Sequence, residues 1–169
     1  MADRELLIPD NVESDGTLLL LAAPRSAFTS WPPTAADFNA VTTKDITYSL
    51  TVDGWSHTKT TEDVDDARLT LREVLSDFGR TTHALSLTYF YGTDEDVVDP
   101  LFVEGELIVI AARYAVPYEQ ETAEGDLFDI AVVKAGPKVR NMPTANGKWT
   151  KTQALKPRTK VLEDHALAA

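Results

Sequence analysis

Residues 55–69 read WSHTKTTEDVDDARL, a serine beside a histidine followed by the four carboxylates Glu62, Asp63, Asp65 and Asp66. The fold turns on whether this stretch is chemistry, a metal loop or a connection that carries negative charge. Adjacent residues on an extended chain point to opposite sides, so Ser56 and His57 do not pair as nucleophile and base. No G-x-S-x-G elbow is present, and His83 and His165 stand in no catalytic motif. An EF-hand begun at Asp63 needs glycine at its sixth position and glutamate at its twelfth, where this chain has Arg68 and Val74. There is no H-E-x-x-H and no G-x-x-x-x-G-K-[ST]. The expectation is therefore no catalytic residue, no metal ligand and no cofactor. A loose divalent site on the four carboxylates and a glycosidase-type pair of distant carboxylates stay open, with nothing positive behind either.

Outward from this stretch the signal has period two. DITYSLTV sets Ile46, Tyr48, Leu50 and Val52 against Thr47, Ser49 and Thr51, which predicts a strand with one buried and one wet face. ALSLTYFYG repeats the pattern with Leu85, Leu87, Tyr89 and Tyr91 against Ser86 and Thr88. GELIVIAARYAVP is apolar on both faces from Leu107 to Ala112 and predicts a strand covered on both sides. DLFDIAVVKAGP, GTLLLLAAP and GKWTKTQAL bring the number to at least six, mainly β, in an antiparallel β-sandwich or small barrel.

Helix is scarce. Thr70 and Glu73 make a T-x-x-E capping box, and Leu71, Val74, Leu75 and Phe78 form one stripe closed by Gly79. Such a helix is about 12 Å long and holds only if it lies on a sheet. A shorter helical turn is expected from Thr34, with Asp37 three residues on. The acidic stretch then becomes a loop from Asp53 to Leu69, and long connections of this kind are usually functional.

Composition bounds the rest. The chain has 169 residues, 43% apolar and 25% charged, which suits one globular domain. It has no cysteine, hence no disulfide and no thiolate chemistry. No apolar run reaches 18 residues, and MADRELLIPD carries charge where a signal peptide needs an apolar core, so neither a spanning helix nor Sec-type export is expected. The net charge is −11, but Lys134 to Lys160 hold eight Lys/Arg and no acid. The other residues therefore carry −19, the total less those eight positive charges. Such a split fits an acidic surface on one copy meeting a basic segment (Lys134, Lys138, Arg140, Lys148, Lys151) on the next, or simply a solvated strand pair. Residues 1–15 and 159–169 have weak patterns and are expected as arms ordered against a neighbour.

PPTAADFNAVTTKDITYSLTVDGW, the acidic stretch into RLTLREVL, then VVDPLF, IVIAARYAVPYE and VVKAGPKVRNMPTANGKWTKTQAL occur in an order that resembles the major tail tube proteins of long-tailed bacteriophages, particularly those infecting actinobacteria. The likeness covers roughly residues 32–158, flanked by an N-terminal arm and first strand (1–31) and a C-terminal tail (159–169). It implies a β-sandwich with a short flanking helix, six copies in a ring whose inner sheets join into one shared barrel, and stacked rings that conduct double-stranded DNA without binding it specifically. It further implies tape-measure, tail-terminator and tail-tip proteins as partners, no membrane, and a place in the virion after assembly in the host cytoplasm. On that likeness Trp55, Glu62, Asp63, Asp65 and Asp66 would contact neighbouring subunits and rings. Thr47, Ser49, Thr51, Ser86 and Thr88 are candidates for the lumen or for plain solvent. The other class that remains open is a β-sandwich binding module for carbohydrate or protein, using Trp31, Trp55 and Trp149.

Overall fold

The computed structural model describes residues 10–169; the residues read above for an export signal, and most of the N-terminal arm, fall in 1–9 and lie outside them. Eight strands follow in chain order: β1 (Leu18–Pro24), β2 (Lys44–Asp45), β3 (Leu50–Asp66), β4 (Leu75–Phe90), β5 (Leu107–Tyr114), β6 (Leu127–Asn141), β7 (Thr150–Pro157) and β8 (Leu162–Ala166). Two single-turn helices, α1 (Ala35–Phe38) and α2 (Val98–Leu101), complete them. All pairings are antiparallel in one sheet of order β2-β1-β5-β6-β7-β4-β3, and β8 pairs β6 beside β7. The sheet curls into a half-barrel, so its two halves face each other as the layers of a sandwich do.

The curl has one core inside and a second outside. Leu20, Ala22, Ile108, Ile110 and Val133 on one half meet Leu85, Leu87, Tyr89 and Leu155 on the other, with Phe102 and Val98 of the α2 segment filling the open end. On the outer face of β1, β5 and β6, Leu19, Leu21, Val109, Phe128 and Ile130 are covered by Phe28, Phe38 of α1 and Leu167. Strand β5 is thus buried on both faces from Ile108 to Arg113, the extent expected from its apolar run except that Leu107 is 43% exposed and the charged Arg113 is buried. The turn at Thr34 forms with its capping box: the Thr34 amide donates to Asp37 Oδ2 at 2.9 Å and the Asp37 amide donates to Thr34 Oγ1 at 3.4 Å.

Three expectations fail. The apolar stripe at Leu71, Val74, Leu75 and Phe78 makes no helix; β4 begins at Leu75, and all four side chains are exposed. Eight residues cannot hold a helix without a surface to pack on, whereas pairing with β3 satisfies their backbone groups. Thr70 takes a positive φ of 68° and serves the turn between the strands. The supposed Asp53–Leu69 loop is therefore mostly strand, rich in β-branched Thr58, Thr60, Thr61 and Val64. DITYSLTV is also not one strand. The Asp45 carboxylate accepts from the Thr47 amide at 2.9 Å and hydroxyl at 2.7 Å, a local turn that diverts residues 47–49 into a 3-10 turn. Ile46 is buried, but Tyr48 and Val52 face outward.

The last eleven residues, expected to order against a neighbour, instead bind their own sheet through β8 and the buried Leu167. Gly54 is buried where β3 and β4 shift register between Leu50 and Trp55. A Cβ there would stand 2.4 Å from the Thr88 carbonyl oxygen, so only glycine permits this approach. The shift sets the facing of everything beyond it on β3.

Candidate functional site

Strand β4 pairs β7 only over residues 85–90, yet it pairs β3 as far as Asp66↔Leu75. Residues 58–66 and 75–84 therefore form a two-stranded ribbon beyond the body of the sheet. A second register shift, between Thr61 and Asp63, falls at Gly79, whose missing Cβ would stand 2.8 Å from Val64 Cγ2. Beyond it Asp63 faces Phe78, Val64 faces Asp77 and Asp66 faces Leu75. Glu62, Asp63 and Asp65 are exposed, and Asp66 is half-buried and grips Arg68 at 2.9 Å. Leu69 and Phe78 are 95% and 83% exposed. A two-stranded ribbon that buries nothing is marginal in water. Val64, Leu75 and Phe78 on its strands and Leu69 in their connection leave apolar side chains in solvent.

Trp55 lies at the ribbon's root rather than on it, partly packed on the inner core, with Nε1 donating to the Tyr114 hydroxyl at 2.8 Å. Trp31 borders the outer core under the Arg25 guanidinium, and Trp149 is half exposed. The three indoles share no stacking surface.

The basic segment occupies β6 and β7, which pair with each other. Lys134, Arg140 and Lys148 are exposed. Lys138 and Lys151 are engaged within the subunit: their ammonium groups donate to Asp99 Oδ1 at 3.0 and 2.9 Å, and the Tyr89 hydroxyl donates to the same oxygen at 3.2 Å. Burial pushes the Asp99 carboxyl up, but the hydrogen bonds from Lys151 and Lys138 outweigh it and hold it below its ordinary value. Burial first, and then the Asp99 charge, push the Tyr89 phenol well up. With its folded carboxyl depressed, Asp99 contributes stability that is present above the unfolded value of about 3.9 and lost as pH falls through the lower folded value. In urea titrations from neutral pH down to about pH 2, Asp99→Asn should flatten the acid limb of the stability curve. An acid limb as steep as wild type would assign the loss to other carboxylates.

Of the lumen candidates, Ser86 and Thr88 share one face, opposite Leu85, Leu87 and Tyr89. Ser86 lies across from Ser56, and Thr88 Oγ1 meets Thr152 Oγ1 at 3.0 Å. Asn141 Nδ2 donates to Thr150 and Thr152 Oγ1 at 3.2 and 2.9 Å on the same face. The sequence signal for these additions is the alternation in WTKTQ, which points Thr150 and Thr152 one way. Thr47 does not join them. Thr47 Oγ1 accepts from the Leu20 amide at 2.9 Å, at the far edge of the sheet.

Local spacing also misses a convergence at the ribbon's root. His57 Nε2 and His83 Nδ1 stand 3.0 Å apart, diagonally across β3 and β4. Both rings are largely sheltered, 10% and 16% exposed. Glu163 of β8 approaches His83 at 3.9 Å through Oε1, while its Oε2 accepts from Lys59 at 2.7 Å. That hydrogen bond holds the Glu163 carboxyl below its ordinary value.

A family model described as phage tail tube protein matches residues 7–169. No curated protein sequence matches the chain.

Proposed function

Because the chain belongs to the phage tail tube protein family, we propose that its copies close into hexameric rings and that the rings stack into a tube through which double-stranded DNA leaves the virion. The family is a structural, non-enzymatic one, and its place is the tail of the virion.

The observation that carries the finer reading is the β3–β4 ribbon, with its acid-rich strand and its exposed Leu69 and Phe78. Leu69, Phe78, Glu62, Asp63, Asp65 and Asp66 would meet a neighbouring subunit, and Trp55 would fix the angle at which the ribbon leaves the sheet. The exposed Lys134, Arg140 and Lys148 supply the complementary charge, since Lys138 and Lys151 already have a carboxylate. A heterologous contact of this kind generates a ring where its rotation closes. A barrel shared among copies would also pair the open edge of β3. The hydroxyl face of Ser56, Ser86, Thr88 and Thr152 suits a DNA conduit, because neutral donors and acceptors give phosphates no counterion-release gain. Tape-measure, tail-terminator and tail-tip proteins would set the tube's length and ends.

Negative-stain microscopy and sedimentation of concentrated protein, with and without a tape-measure or initiator protein, test this. Hollow tubes built of six-fold rings are expected. A chain that stays monomeric under all of these conditions would end the proposal.

A further inference from the structure

We propose that His57, His83 and Glu163 form a divalent-metal site of the zinc type that ties the root of the ribbon to the C-terminal strand β8. Among the described residues, this is the point where three His/Asp/Glu side chains bring one donor atom each within 4.8 Å of the other two. The donors come from three strands, β3, β4 and β8. Two imidazoles and a carboxylate are a ligand set that suits zinc, with water completing the tetrahedron.

Two of the three donor separations fit after small movements; the third, His57 to Glu163, lies within 4.8 Å and closes as the Glu163 side chain turns in. Tetrahedral zinc with ligands at about 2.0–2.2 Å separates its donors by about 3.3–3.5 Å. The histidine nitrogens, 3.0 Å apart, open by a few tenths of an ångström, and Glu163 Oε1 closes by about half an ångström from 3.9 Å. The short His57–His83 approach also fits an N–H···N hydrogen bond; for metal binding the donor ring takes its other tautomer, the proton passing through water to its far nitrogen, so that both facing lone pairs are free. Asp129 Oδ2 lies 3.9 Å from His57 Nδ1, beyond hydrogen-bond distance but near enough to add negative charge beside the ring. A divalent ion would be balanced by the charges of Asp129 and Glu163. Lys59 opposes it, but it holds only Glu163 Oε2 and its side chain is 49% exposed, so it can turn to solvent. Such a clamp gives a chain without cysteine a cross-link between segments 106 residues apart, from His57 to Glu163. The inference does not depend on tube formation.

The test uses the tag-free full chain, stripped with EDTA and titrated with Zn²⁺ by calorimetry and with Co²⁺ by visible absorption. One equivalent of Zn²⁺ should bind and raise the melting temperature, reversibly with EDTA, and Co²⁺ should give an intense tetrahedral spectrum. His57→Ala/His83→Ala should lose affinity at least about 100-fold, and Glu163→Gln, at a position not needed for the core, about 10-fold. Circular dichroism verifies that each variant is folded, and His83→Gln replaces the double variant if that one is not. Failure of wild type to bind saturably overturns the site. So does unchanged affinity in the histidine variant, or in Glu163→Gln.

Discussion

Leu69→Asp combined with Phe78→Asp should abolish tube formation while leaving the subunit's unfolding midpoint unchanged. Both side chains are exposed, and neither belongs to the two cores, so the isolated subunit loses nothing. Burying an apolar side chain of this size at a contact contributes about 1.5–3 kcal/mol. Removing two of them weakens each contact by about 10²–10⁴-fold. The new carboxylates also carry a desolvation cost at a contact that must exclude water. In the proposed ring the same contact recurs at every position, which would compound the loss. Sedimentation and microscopy beside a urea melt check both halves; tubes of normal length from the double variant would place the subunit contact elsewhere.

The largest effect on the subunit itself is expected at Asp126. Arg113 is fully buried, and its guanidinium donates to Asp126 Oδ2 at 3.0 Å and to the carbonyls of Gln120 and Pro117 at 2.7 and 3.2 Å. The same Oδ2 accepts from the Ala123 amide at 3.1 Å, which closes the segment between β5 and β6. Asp126→Ala leaves an uncompensated charge in the interior and should destabilise by about 3–5 kcal/mol in denaturant unfolding. Arg113→Met with Asp126→Ala should recover part of the loss, since an apolar replacement removes the orphaned charge. A single-variant cost below about 1 kcal/mol, typical of an exposed pair, would mean that water reaches the guanidinium.

How far the sequence reports the fold depends on what each residue packs against. Leu85, Leu87 and Tyr89, or the unbroken run Leu107–Ala112, take their facing from burial, and their spacing predicts it. The stripe at Leu71, Val74, Leu75 and Phe78 has helical spacing but no surface within the subunit to lie on. Period alone does not distinguish a stripe meant for the subunit's core from apolar residues meant for elsewhere. The diversion at Thr47–Ser49 was visible in kind, since Asp45 two residues before Thr47 is a turn signal, but the strand pattern of the neighbours masks it. At the site level, the acidic character of the ribbon is plain in the sequence. The Asp99 network and the His57–His83–Glu163 convergence are not, because they depend on register across hairpins and on where β8 returns.

The edge of β3 that no described strand pairs bears on how free copies would behave before they meet a growing end. Should two subunits approach edge to edge in antiparallel fashion, centred near Val64, Glu62 would confront Asp66 and Asp63 would confront Asp65, twice over. Like charges opposed across a ladder repel; Arg68 offsets part of the charge at Asp66, and dissolved ions screen the rest. In the proposed assembly the pool of free chains would thereby be held apart from dead-end dimers, so that growth would begin after a lag, shorten that lag as salt is added, and proceed from seeds in preference to chance encounters.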